Sequence, residues 1–318
     1  AGIAGIYIFG LRAFFVIFFS ILGAVSAEYA WQKFFKKKIT ISDGSAFLTG
    51  LLLAYNLPPG VPFWLPFVGG VFAIIVAKQF FGGLGMNIFN PALAARGFLM
   101  ASWPVEMTTW SAPVNNFFSI FNVDANTTAT PLNLVKLSAE DPEKMKQFWS
   151  IFSASGTYET GQTWVLFKNL MLGLRGGCLG ETCAILLILG GLYLIYKKYI
   201  DWQVPMVFIG TVALFTVGFG QGRGGLEPIQ NLIFNLFSGG LMLGAFFMAT
   251  DYVTIPATVK GRVIFALGCG IITSVIRLWG GYPEGVCYSI LIMNTFTPLI
   301  DDKIRPRVYG VKKEKKPA

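Results

Sequence analysis

Four carboxylates lie within or beside long apolar segments, where ionisable side chains are uncommon. They are Glu28, Asp43, Glu181 and Asp251. Thr254 accompanies Asp251, and Ser45 accompanies Asp43. Clustered oxygen atoms suit a hard cation such as Na⁺, whereas a lone carboxyl group suits a proton. The sequence therefore predicts Asp251, Asp43 and Thr254 as ion-coupling candidates. The alternative for Glu28 and Asp43 is a helix-end carboxylate, with Asp43 capping the helix that follows.

Other reactive side chains are scarce. The absence of histidine excludes haem ligation through imidazole and most zinc or copper sites. Four cysteines have no close metal-motif spacing and are interpreted as buried, inert thiols, so no metal site is predicted. A glycine-rich stretch, 220–225, carries Arg223, which could neutralise a phosphate. It lacks the strand and the Lys-Ser/Thr pair of a P-loop, and a plain connection is the alternative.

The composition indicates that a bilayer surrounds these groups. Hydrophobic residues make up 54% of the 318 positions and charged residues only 13%, against about 25% charged in ordinary soluble domains. Glycine, with 37 copies, is frequent where transmembrane helices approach closely. The net charge of +9 comes from short clusters beside apolar runs, which indicates membrane topology rather than nucleic-acid binding. We expect an all-α polytopic membrane protein.

Nine apolar runs are long enough, or nearly so, to cross a bilayer. They cover 11–31, 45–58, 62–80, 90–103, 178–197, 203–220, 230–249, 261–278 and 284–300. Residues 1–9 are interpreted as the end of a truncated first span, which makes ten spans when complete. Two of the runs, 45–58 and 90–103, are short and adjoin Gly, Pro or Asn, as expected for broken helices around an internal site.

Basic residues predict the orientation of this single membrane domain, 1–318. Sixteen Lys and Arg fall on one side of the nine runs and eight on the other, and the basic side stays cytoplasmic. This places the carboxy terminus inside and the long connection 104–170 outside. Similar glycine-rich breaks at 82–85 and 280–285 indicate an inverted repeat. Chance similarity between the two breaks is the alternative.

Four ordered stretches of sequence carry a resemblance to one known family. They are Ser42-Asp43-Gly44-Ser45-Ala46 with Leu57-Pro58-Pro59; Gly82-Gly83-Leu84-Gly85-Met86-Asn87-Ile88-Phe89-Asn90-Pro91-Ala92; Phe247-Met248-Ala249-Thr250-Asp251-Tyr252-Val253-Thr254; and Gly280-Gly281-Tyr282-Pro283-Glu284-Gly285 with Pro298-Leu299-Ile300-Asp301. Over about 5–309 the chain resembles the RnfD/NqrB family. The Rnf branch is the closer match, since the NqrB branch usually has a longer amino-terminal extension.

The resemblance implies a flavin mononucleotide joined through its phosphate to a threonine by a separate flavin transferase. The matching acceptor is Thr130, and the matching motif also includes Asp124, Thr127, Thr128 and Ala129. Thr128 stands where the family usually has glycine, and its side chain narrows the available backbone conformations. The loop position and the following proline agree with an accessible acceptor. Without the family match, these threonines are ordinary loop hydroxyls.

The family further implies a membrane subunit of a redox-driven ion pump, a ferredoxin:NAD⁺ oxidoreductase of the Rnf type that moves Na⁺ or H⁺ across the bacterial inner membrane. Such a subunit passes electrons and is not catalytic alone. Its implied partners are the other subunits, including a second covalent flavoprotein, and a noncovalent riboflavin is an open option. Two alternatives from other classes are a solute channel or transporter of similar broken-helix architecture and a scaffold without cofactor.

Overall fold

The computed structural model describes residues 1–111, 127–128, 131–137, 142–152, 163–173, 176–181, 183–220, 226–282 and 284–304. These residues are almost entirely helical. The helices are α1 Gly2–Phe9, α2 Leu11–Phe34, α3 Ser45–Tyr55, α4 Trp64–Ile74, α5 Pro91–Ser102, α6 Pro104–Thr108, α7 Pro131–Leu137, α8 Pro142–Phe152, α9 Thr163–Leu172, α10 Ala184–Tyr196, α11 Gln203–Phe219, α12 Pro228–Phe237, α13 Leu241–Leu243, α14 Val259–Trp279 and α15 Val286–Lys303. Two strands, β1 Trp110–Ser111 and β2 Thr127–Thr128, complete the described elements.

Every predicted apolar run coincides with a helix, which supports a polytopic membrane protein. Among the described residues, α2 and α14 are each long and apolar enough to cross a bilayer. A bent pair, α12 followed by Leu241–Met248, passes the same test together, with a bend of 54° at the break. The run predicted to begin at residue 178 becomes helical only at Ala184. Several predicted spans are thus short helices that end at breaks, as the Gly, Pro and Asn residues indicated.

Glycines bring the long helices into close contact. A Cβ atom at Gly23 would lie 2.3 Å from the Phe67 carbonyl oxygen, so any larger residue in α2 would push α4 away. The Ser20 hydroxyl of α2 donates a hydrogen bond of 2.7 Å to the Gly50 carbonyl of α3. These contacts pack α2, α3 and α4 into one bundle and set the position of the polar groups that they carry.

Two π-helical turns interrupt the bundle near polar residues. One, Ile75–Gln79, continues α4, and the other, Gly244–Met248, continues α13. A π turn inserts an extra residue into the helix and so changes the direction of the side chains around it. Helix α5 starts separately, because the Asn90 side chain accepts hydrogen bonds from the first-turn backbone and Pro91 occupies the first helical position.

The long connection between α5 and α10 contains folded elements. Strand β1 pairs antiparallel with β2, with Trp110 opposite Thr128. Helices α7, α8, α9 and α12 share a separate small hydrophobic cluster that includes Leu134, Phe148 and Phe234. The connection is therefore anchored to the helical bundle through α12 over its described parts.

Candidate functional site

Two cavities lie along helix α5, one toward each end. The lower cavity has a volume of about 490 Å³ and includes Asn90 and Asp251 in its wall. The upper cavity has a volume of about 250 Å³ and includes Arg96 and Trp110. Because α5 begins at Pro91 and ends at Ser102, it contributes its first residues to the lower cavity and its carboxy-terminal half to the upper one.

The lower cavity contains the main ion-coupling candidate, Asp251. One of its carboxylate oxygens accepts a hydrogen bond of 3.4 Å from the buried Thr254 hydroxyl, and the other accepts one of 3.5 Å from the Val253 backbone. Both bonds are long, so they neutralise little of the charge. Burial raises the pKa of Asp251, and the two hydrogen bonds only partly offset this effect. The carboxylate therefore gains from a proton or cation arriving from the cavity.

Asp43, the second ion-coupling candidate, lies on the exposed surface beside the lower cavity. It accepts hydrogen bonds from the Ser45 backbone N–H, 2.7 Å, and from the Ser45 hydroxyl, 2.6 Å. Partial burial opposes their effect, but these bonds lower the pKa of Asp43. Since Ser45 is the first residue of α3 and also lines the lower cavity, Asp43 contacts both the start of the helix and the cavity wall, whereas the N-cap position itself is Gly44.

A buried ion pair joins α2 to the π turn after α4. Lys78 Nζ lies 2.8 Å from Glu28 Oε1, and the two side chains are 2% and 1% exposed. The helix-end alternative for Glu28 is wrong, because Glu28 lies within α2 and is buried. The hydrophobic pattern of one segment does not show which charges are paired. Here each charge is paired because a different helix supplies its partner.

The upper cavity is bounded by a cluster of buried charges that the sequence interpretation left without a role. Arg96 pairs with Glu284, donates a hydrogen bond of 3.0 Å to Asn56 Oδ1, and lies 3.9 Å from Glu181. Arg96 also lies 3.7 Å from the Cys178 sulfur. The sequence did contain a signal for this site. An ionisable residue inside an apolar run is a candidate functional residue, and Arg96 lies in such a run.

Cys178, Glu181 and Glu284 also present one possible metal ligand each, all within 4.8 Å of one another. Arg96 contacts all three of them, and its positive charge takes the place that a metal ion would need. All four cysteines are buried thiols without disulfide bonds, as the sequence predicted. We therefore interpret this cluster as a charge network that Arg96 neutralises.

The described part of the predicted flavin-attachment segment lies next to a strand that lines the upper cavity. Thr127 and Thr128 form β2, whose backbone pairs with β1, and Trp110 of β1 lines the cavity. Asn133, in the first turn of α7, lines the same cavity. The other predicted cofactor residues lie outside the described part of the chain. They are Asp124, Ala129, Thr130 and Arg223.

A line of hydrogen bonds connects the two cavities through the core of the bundle. It begins with Arg96 and Asn56. The Asn56 side-chain amide donates to the Met248 sulfur, 3.5 Å, and the Asn90 amide donates to the Met248 carbonyl oxygen, 3.4 Å. Asn56, Met248 and Asn90 are each less than 5% exposed. Polar groups are costly at this depth unless they are paired, so the line indicates a role beyond packing.

Comparisons with known proteins cover nearly the whole chain. The sequence profile of the NQR2, RnfD, RnfE family matches residues 1–310. The D-type subunit of the proton-translocating ferredoxin:NAD(+) oxidoreductase complex from Clostridium ljungdahlii is 51% identical, over 98% of this chain and 88% of the relative. The D-type subunit of the Na(+)-translocating complex from Acetobacterium woodii is 47% identical, over 98% and 87%. The corresponding subunit of an ion-translocating oxidoreductase complex from Stutzerimonas stutzeri is 36% identical, over 98% and 89%.

Proposed function

Because this chain belongs to the NQR2, RnfD, RnfE family, we propose that it is the RnfD-type membrane subunit of an ion-translocating ferredoxin:NAD⁺ oxidoreductase complex. The carrying observation is the similarity to two such subunits over 98% of the chain. The resemblance recognised in the sequence is thereby confirmed. The chain acts within a complex and is not catalytic alone. Its partners are the remaining subunits, a second covalent flavoprotein among them, and a flavin transferase that acts during maturation.

The upper cavity is suited to a flavin attached at Thr130. Two residues of chain span at most about 7 Å, so position 130 is close to Thr128 on one side and directly precedes Pro131 on the other. The cavity wall offers the aromatic rings of Trp110 and Tyr282 and the charge of Arg96. These residues fit flavin mononucleotide, which would accept and release electrons one at a time. In this proposal Trp110 positions the attachment strand, and the ion-paired Arg96 lies in the cavity wall beside the flavin.

The lower cavity is suited to a second, noncovalent flavin such as riboflavin. Its volume of about 490 Å³ lies within the range of about 300–1,000 Å³ that small-molecule pockets occupy. Its wall has a large apolar surface, and its polar groups include the amide side chains of Asn87 and Asn90, the carboxylate of Asp251 and the ammonium group of Lys78. Flavin that denaturation releases from purified protein, after the covalent flavin has been accounted for, would support this second site.

A solute channel is the second candidate function, and the polar line between the cavities favours it. The same line contains the Arg96 guanidinium, whose fixed charge opposes the passage of free cations. Flavin fluorescence of the denatured protein band on a gel discriminates the two functions. A covalent fluorescent band supports the redox subunit, whereas its absence in a strain with active transferase favours the channel or a cofactor-free scaffold.

We expect the upper cavity to lie outside the cytoplasm and residue 199 to lie inside it. A reporter active only outside the cytoplasm should be active when fused after residue 140 and silent when fused after residue 199. The basic asymmetry of the loops gives this expectation. Matching expression of both fusions is the control, and the opposite pattern of activity would reverse the proposed orientation.

Asp251→Asn should impair ion movement more than flavin incorporation. The carboxylate lies at the lower cavity, at the opposite end of α5 from the attachment strand, so its loss leaves the flavin segment unchanged. Electron transfer and ion uptake should be measured together on assembled complex in vesicles. Glu106→Gln, in the short helix α6 and outside both cavity walls, is a matched control. An unchanged ratio of ions to electrons in the Asp251 variant would make this residue structural.

A further inference from the structure

The carboxylate of Glu28 is buried with one oxygen satisfied and the other not. Glu28 Oε1 accepts hydrogen bonds from Lys78, 2.8 Å, from Gln79, 3.0 Å, and from Gln32, 3.3 Å. Glu28 Oε2 has no hydrogen-bond partner among the described residues, although Glu28 is only 1% exposed. Native structures rarely leave a buried charged oxygen unpaired, and such atoms frequently belong to sites that bind a proton, an ion or water.

A hydrogen-bonded chain runs from this carboxylate to the protein surface. Lys78 Nζ, besides its bond to Glu28, donates to the Ser45 hydroxyl at 2.7 Å. The Ser45 hydroxyl in turn donates to Asp43 Oδ1 at 2.6 Å. Asp43 is exposed, whereas Lys78 is 2% exposed. Every step is a short bond between groups that can exchange protons, so the chain joins solvent to a buried acceptor.

We propose that Asp43, Ser45, Lys78 and Glu28 form a proton relay that loads Glu28 from the surface beside the lower cavity. This inference rests on the proposed ion-translocating function and on the orientation that places this surface in the cytoplasm. It assigns new roles to Ser45, Lys78 and Glu28. The π turn at Ile75–Gln79 is the local feature that brings both Lys78 and Gln79 to the same carboxylate oxygen.

Each uptake event moves one proton and balances without any other reactant. The Lys78 ammonium first gives a proton to Glu28, so that an N–H bond breaks and an O–H bond forms. The neutral Lys78 amine then takes the hydroxyl proton of Ser45, and the serine oxygen is reprotonated by the Asp43 carboxyl group. Asp43 is ionised at rest because the Ser45 hydrogen bonds lower its pKa, so it receives this proton from a hydronium ion at the surface, which leaves as water. The net change is one proton transferred from solvent to Glu28, which can pass it on through its second oxygen.

The surroundings of Glu28 favour a proton over a sodium ion. Sodium is a hard cation that binds through several oxygen ligands, whereas three N–H donors face Glu28 Oε1. The ammonium of Lys78 already provides the neighbouring positive charge. The charged groups facing this pair are Asp43 from the turn before α3 and Asp251 across the lower cavity, which Lys78 also lines. Both are carboxylates, and both are compatible with proton transfer through Lys78.

The test compares variants of the assembled complex in vesicles, with electron transfer and proton uptake recorded together. Glu28→Gln combined with Lys78→Met removes both relay charges at once, which avoids leaving one buried charge unpaired. Ser45→Ala breaks the chain without touching the ion pair. Both should lose proton uptake per electron while covalent flavin remains, and Ser45→Thr should restore it. Thr211→Val is the matched control, because the Thr211 hydroxyl donates to the Val207 carbonyl oxygen within α11 and the residue lies outside both cavity walls.

A spectroscopic readout separates proton transfer from a structural effect. Infrared difference spectra of the wild-type complex upon reduction should contain a carboxyl band that Thr211→Val keeps and Glu28→Gln/Lys78→Met loses. Wild-type proton uptake per electron in the double variant, or in Ser45→Ala, would overturn the relay. A wild-type complex that moves only sodium would overturn it as well and leave the proposed function intact. Electron transfer with no ion movement in the wild type would instead contradict the proposed function.

Discussion

Changing Thr130 to alanine is expected to remove covalently bound flavin completely, because a phosphoester requires the hydroxyl oxygen of one particular side chain. Alanine removes that oxygen and changes little of the side-chain volume. The described neighbours, β2 and α7, should keep their positions, since the Trp110–Thr128 pairing uses backbone groups. Mass spectrometry of the peptide from Asp124 to Lys136 measures the outcome directly, and gel fluorescence of the denatured protein gives an independent reading.

Thr128→Gly is the matched comparison for this experiment and should leave the covalent flavin intact or increase it. Glycine restores the residue that the family usually has, and it widens the backbone conformations available as the segment enters the transferase. Flavin mass on Thr127 or Thr128 in the wild-type peptide would show that the acceptor has been assigned to the wrong hydroxyl. No flavin in a strain with active transferase would argue for the channel.

Arg96→Met is expected to give the largest loss of stability among single substitutions in the membrane domain. Arg96 is 3% exposed and faces Glu284 and Glu181, so its removal deprives two carboxylates in the core of an ion-pair partner. Breaking a buried pair from one side costs about 3–5 kcal/mol, a large part of the ~5–15 kcal/mol that stabilises an ordinary domain. Thermal unfolding of the purified protein in detergent should register this as a strongly lowered midpoint.

The control for Arg96 is Arg262→Met, which removes a cation from a more exposed pair with Asp201. Exposed pairs contribute about 0–1 kcal/mol, so the midpoint should change little. Adding Glu284→Gln to Arg96→Met should recover part of the loss, because one of the unpaired charges disappears. If Arg96→Met and Arg262→Met have equal midpoints, the Arg96 network contributes no more than a surface pair.

The amino-acid sequence by itself determined the class of protein and the family. Low charge, abundant glycine and nine apolar runs require a bilayer, and each run is helical because a lipid-exposed backbone must satisfy its own hydrogen bonds. The helix breaks could also be predicted from neighbouring residues. Helix α5 starts at Asn90-Pro91 through a side-chain cap and a proline, and both residues are visible in the sequence. The position of Asp251 beside an apolar run made it an ion-coupling candidate, and the family motif indicated Thr130 as the expected acceptor.

Only the tertiary structure decided which charges meet. Arg96 and Glu284 are 188 residues apart, and Lys78 and Glu28 are 50 apart, so no local pattern could pair them. Hydrophobic periodicity indicates which face of a single helix is buried. An ion pair between two helices depends instead on how those helices pack against each other. Close contact of α2 with α3 and α4, permitted by glycines such as Gly23, creates the buried site that the pair occupies.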